Sequence, residues 1–109
     1  MHIPSFPPSL ADWKNIPSEK LPGETGFVIS KKQTIGEITI RYLEYSPHYS
    51  ADHWCEKGHL VFVTEGSLIL EHKDNTTLLI EKGMSYLVGD NSSAHKAKSI
   101  TGASVIIVD

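Results

Sequence analysis

From residue 26 onward, no stretch of this 109-residue chain sustains the 3.6-residue apolar repeat of an amphipathic helix. What it carries instead are short runs rich in β-branched and aromatic residues, at 26–32, 37–45, 59–65, 67–73, 76–81, 84–88, 95–101 and 103–108. Turn signals separate them. Gly66 is expected to close one strand before the next pairs back, Asp74-Asn75 makes a turn in which Asn accepts a positive φ, and Lys82-Gly83 turns again. Strands punctuated this often point to an all-β antiparallel sandwich or barrel. Within 37–45, Ile38, Ile40 and Tyr42 alternate with Thr39, Arg41 and Leu43, so the first set is expected to form the core face.

Residues 1–25 differ. They hold all but one of the six prolines, which withdraw backbone donors and fix φ, so neither a helix nor a central strand is expected there. Yet Ile3, Phe6, Leu10, Trp13 and Ile16 give the segment more apolar weight than a disordered tail keeps. It reads as an irregular arm lying on a surface, its own barrel's or a partner subunit's, with a partly mobile tail anchored by Trp13 as the alternative. The barrel domain occupies 26–109.

The length fits one domain with a small core. A net charge of −3 argues against nucleic-acid binding, for which a basic stripe is expected. No run approaches the roughly 18 apolar residues of a membrane span, and the first residues lack the pattern of a secretory signal. One cysteine cannot form an internal disulfide, and together these features fit a soluble protein of the cytoplasm.

The chemistry concentrates in Asp52-His53-Trp54-Cys55-Glu56-Lys57-Gly58-His59. His53, Cys55 and His59 share strand parity, but in an extended chain His59 would lie about 20 Å from His53. The chain must therefore double back at Glu56-Lys57-Gly58, where Gly58 can supply the positive φ of a tight reversal. A lone Cys is usually a small hydrophobe and a lone His a hydrogen-bonded or surface residue. Three at this spacing and parity point instead to a metal. Asp52 and Glu56 have the opposite parity, as groups supporting the ligands or as solvated charges. Tyr42, Tyr49, Trp54 and Tyr86 either line a pocket or pack. His2, His48 and His72 stand outside the pattern: His2 at the chain end, His48 in an exposed loop or at a pocket mouth, His72 facing outward.

Two blocks of the chain resemble the cupin family. In the first cupin motif His53 takes the first His place, Cys55 the second, His59 the Glu place and Gly66 the closing Gly. In the second, Gly83 opens, Gly89 and Asn91 replace Pro and Gly, His95 takes the His place after one extra residue, and Ser99 stands where Asn is usual. The strings Gly23-Glu24-Thr25-Gly26, Glu44-Tyr45-Ser46-Pro47, 51–59, Gly83-Met84-Ser85-Tyr86 and Ile107-Val108-Asp109 are similar to a small group of cupins named for a motif of Asp, His, Cys and Trp. The opening Gly of the first motif is absent and Lys96 replaces a commoner Arg. The resemblance implies a double-stranded β-helix with a metal in its mouth, ligated by His53, Cys55, His59 and His95, and often a homodimer.

Three imidazoles and one thiolate suit zinc best, then iron or nickel, and suit magnesium or calcium badly. The sequence thus supports a small metal-binding cupin, either a metalloenzyme acting on a small molecule, a ligand-, metal- or redox-sensing module, or a barrel with structural zinc.

Overall fold

The computed structural model describes residues 3–109, so His2 lies outside the described residues. Nine strands follow in order: β1 (Glu19–Pro22), β2 (Phe27–Ile35), β3 (Ile38–Tyr45), β4 (Tyr49–Ser50), β5 (His59–His72), β6 (Thr77–Glu81), β7 (Ser85–Val88), β8 (His95–Ser99) and β9 (Ala103–Val108). All pairings are antiparallel. The all-β expectation holds.

The sheet curls because one strand serves both of its faces. The first part of β5 pairs with β7 and β9, and its second part with β6 and β8. The expected break at Gly66 is absent. Instead β5 runs unbroken for 14 residues and shifts register between Val63 and Glu65, a bulge of the kind that bends a strand and sharpens its twist. Gly66 sits just beyond, at φ 72°, where an added Cβ would fall on the backbone of Gly102 and Ala103. Gly66 is a special backbone position as expected, but it serves a bend within one strand and not a chain reversal. Asn75 does adopt positive φ, at 69°.

Val61, Val63, Leu68 and Leu70 of β5, Leu43 of β3, Val105 and Ile107 of β9, and Ile80 of β6 fill the interior. On β3 Ile38 is buried as expected, but farther along the strand the other face lines the cavity. Arg41, Leu43 and Tyr45 face inward, while Ile40 and Tyr42 lie outside with Trp13 of the arm. Both faces of β3 are apolar enough to be covered, so alternation alone could not rank them; the arm covers the outer one. Lys31 Nζ donates to the Trp13 carbonyl at 2.7 Å, holding that stretch of the arm on its own barrel. The arm ends in β1, a short edge strand paired with β2, a place where its proline costs no ladder bond on the solvent side.

Gly66→Ala should destabilise the fold by about 2–3 kcal/mol, through positive-φ strain and overlap with the Gly102 carbonyl. Urea unfolding measures this, and an unchanged midpoint would contradict it.

Candidate metal centre

The interior holds a cavity of about 590 Å³, and at one end of it Cys55, His59 and His95 bring Sγ and one imidazole nitrogen each within 4.8 Å of one another. Each arrives by a different route. His95 opens β8, in register with His72 of β5. Cys55 lies in irregular chain but forms a two-way backbone bridge with His95. Its N–H donates to the His95 carbonyl at 2.8 Å, and the His95 N–H donates back at 2.9 Å. Residues bonded this way project their side chains to the same face. His59 opens β5.

The link from Cys55 to His59 does not need positive φ at Gly58, contrary to the sequence expectation. Glycine is required there for space. A Cβ would lie 2.6 Å from the Asp90 nitrogen and 2.8 Å from the Gly89 carbonyl carbon. The Gly58 N–H donates to Asp90 Oδ1 at 2.6 Å, and the Asn91 N–H to the Glu56 carbonyl at 2.8 Å, so the two loops that carry the ligands are clasped together.

His53 lines the same cavity but stands apart from the cluster. Its side chain is 79% exposed, and Nδ1 lies 2.6 Å from Asp52 Oδ1. That bond turns the ring toward solvent and holds the Asp52 carboxyl below its ordinary range. Parity placed His53 beside Cys55; the irregular backbone of 51–58 removes the alternation on which parity depends. Of the aromatics, Tyr49 lines the cavity, Trp54 is exposed, and Tyr86 packs against the core with its hydroxyl 2.9 Å from His72 Nε2. His72 is therefore not turned wholly outward. His48 is exposed in its loop.

The tautomers of the two buried histidines bear on what the cluster can hold. His95 Nδ1 is 2.9 Å from the Ser93 carbonyl, which can only accept, so Nδ1 carries a proton and in the neutral ring Nε2 presents a lone pair. His59 Nδ1 faces Asp109 Oδ2 at 3.6 Å, long for a hydrogen bond but near enough for the carboxylate to favour a proton there. Both Nε2 lone pairs then point at each other across 2.8 Å. A neutral His59 with its proton on Nε2 would relieve that repulsion but turn a lone pair toward the Asp109 carboxylate. A doubly protonated His59 would satisfy both sides, but burial and then the neighbouring His95 hold this imidazole below its ordinary pKa. A metal ion would remove the conflict between the two rings: both imidazoles stay neutral, both present lone pairs to it, and a Cys55 thiolate would add charge. The residues fit the group.

Asp109 was not singled out as functional from the sequence, although it ends a string that carries the family resemblance. Its side chain is 1% exposed and it continues β9, which lies between β3 and β5. From there it reaches Arg41 Nη1 at 3.0 Å on one side and His59 on the other, with Lys57 Nζ at 3.8 Å. A carboxylate behind a ligand imidazole fixes the ring and its tautomer.

No family model matches the chain, and no curated protein matches it. Solved structures do. An RmlC-like cupin from Shewanella frigidimarina superposes with a TM-score of 0.72 at 17% identity, over 90% of this chain and 86% of that one. The barrel has the cupin fold. A predicted oxalate decarboxylase from Thermotoga maritima matches at TM-score 0.75 and 12% identity, over 92% of this chain and 96% of its own. An Fe(II)-HppE structure with an alternative substrate matches at 0.75 and 13%, over 94% of this chain and 60% of that one. Cupin neighbours therefore include proteins described as metal-containing or catalytic, and the likeness at these identities concerns the fold.

Asp109→Asn should lower stability by about 1–3 kcal/mol by unpairing Arg41, and weaken metal affinity about 10- to 100-fold by loosening His59. Thermal unfolding without metal and competitive chelator titration separate the two effects.

Proposed function

We propose that this protein is a small metal-binding cupin, of the group named for its Asp, His, Cys and Trp motif, that acts on a small organic molecule through a transition ion held by Cys55, His59 and His95. The observation that carries the reading is the convergence of the Cys55 sulfur and one nitrogen each of His59 and His95 on the wall of a cavity. Zinc is the ion this donor set favours, ahead of iron or nickel. Bound there, it would act as a Lewis acid and could lower the pKa of a bound water towards neutrality.

The chain's own residues do the rest. Asp109 holds the His59 ring, the Ser93 carbonyl holds the His95 ring, and the Cys55–His95 backbone bridge holds the sulfur beside them. Three protein ligands beside an open cavity favour a reactive or ligand-binding site over a closed structural one, which uses four. His53, at the rim and engaged by Asp52, is assigned no ligand role in this proposal.

Protein produced without an affinity metal should carry about one ion per chain by elemental analysis. Cys55→Ser, His59→Ala and His95→Ala should each lose most of it, while His53→Ala keeps it. Retention in all of the first three would overturn the assignment, and loss in His53→Ala would restore a fourth ligand.

The proposal includes a homodimer in the cytoplasm. The outer face of β5 and β7 leaves Phe62 and Leu87 exposed, Leu87 at 72%, and a second copy would cover them. Sedimentation at tens of micromolar should give twice the chain mass; a monomer would remove this part.

A further inference from the structure

We propose that the cavity binds an organic monoanion with an apolar body, a carboxylic acid carrying a hydrocarbon or aryl group, its carboxylate held by Arg41 beside the metal position. The inference deepens the metal reading and rests on it only for what lies at the far side of the carboxylate.

Arg41 is the only arginine in the chain and stands on the inward face of β3, two residues along from the row that holds Asp109 and His59. It lines the cavity, and 30% of its side chain is exposed. Asp109 accepts from Nη1 alone. The remaining donors of the guanidinium have no partner among the described residues, though a guanidinium offers five in a fixed fork that matches a carboxylate. Asp109 thus orients Arg41 without consuming it.

The charge around the cavity is opposite in sign to that of the chain. Lys32, Arg41 and Lys96 line it against Glu19, with the Asp109 carboxylate paired behind Arg41, which leaves an excess of positive charge in a protein whose net charge is −3. A divalent ion with one thiolate would add a further positive charge. Such a concavity concentrates anions.

Tyr45 supplies a second donor. It lines the cavity two residues beyond Leu43 on the same face, tilted against Tyr49 with ring centroids 4.8 Å apart, and its hydroxyl has no hydrogen-bond partner among the described residues. Burial, then Tyr49, pushes its phenol up, so it remains an O–H donor.

The rest of the wall excludes a small, highly charged occupant. Val28, Leu43, Leu68 and Leu70 line it, and about 590 Å³ is the size of site that holds an organic molecule, not a bare inorganic anion. A single guanidinium beside an apolar wall matches one carboxylate with a hydrocarbon body.

The test pairs benzoate, phenylacetate, 4-phenylbutyrate and hexanoate with their amides, titrated calorimetrically into zinc-loaded and chelator-treated protein. At least one acid should bind about tenfold or more tightly than its amide, the difference expected for a hydrogen bond to a charged group. Arg41→Gln should abolish that preference, bringing the affinities of acid and amide together. Because Arg41→Gln also unpairs Asp109, Tyr45→Phe serves as the second variant and should reduce the preference with the ion pair intact. Acid and amide binding alike across all four pairs, no binding by any, or a preference that survives both substitutions would overturn the proposal. A preference that persists in protein unable to hold zinc would remove the metal reading and leave this one standing; zinc retention without any preference would do the reverse.

Discussion

Two imidazoles whose outer nitrogens both face acceptors, one bonded to a carbonyl and one buried near a carboxylate without a hydrogen bond, cannot comfortably aim their inner lone pairs at each other. His59 and His95 are placed that way, Nε2 to Nε2 at 2.8 Å, with a carboxylate behind one ring and a backbone carbonyl behind the other. A positive ion between the nitrogens would accept both lone pairs, and burial makes a proton a poor source of that charge at His59. Much else in the barrel serves to keep these two rings, and the sulfur beside them, where they are. The clasp between Gly58 and Asp90, the Cys55–His95 bridge and the end of β9 are all local solutions to that problem.

The bend of β5 is what makes a meeting of these rings geometrically available. His59 at its start belongs to one half of the curled sheet, and His72 near its end pairs with His95 in the other. A straight strand of this length would carry its ends about 45 Å apart and leave each half-sheet its own flat face. The bulge after Val63 and the left-handed backbone at Gly66 fold the strand over the core, so residues of both halves look into one cavity. The same curl brings Arg41 and Tyr45 of β3 to the cavity that Cys55, His59 and His95 line.

Much of this was legible in the residues, and the failures have physical causes. Strand existence followed from β-branched runs and turn chemistry, because both act over a few residues. Cys55, His59 and His95 were identified as partners from spacing and motif, and they do converge. His53 was grouped with them by strand parity, a rule that applies only to extended backbone, and 51–58 is not extended. The inner face of β3 was misassigned because hydrophobicity cannot rank two apolar faces when an arm elsewhere in the chain covers one. Asp109 and Arg41 were not singled out for a role because nothing in their neighbours announces a charge pair 68 residues apart.

The amino-acid order by itself determined the class of fold, the turn at Asn75, and the supply of Cys and His side chains, since those depend on side-chain chemistry and local backbone preference. Which ligands share a cavity, which ring nitrogen is bare and which carboxylate lies behind it were decided only by the tertiary structure. Those are relations between strands far apart in the chain, set by register and by the curl of β5, and no local preference encodes them.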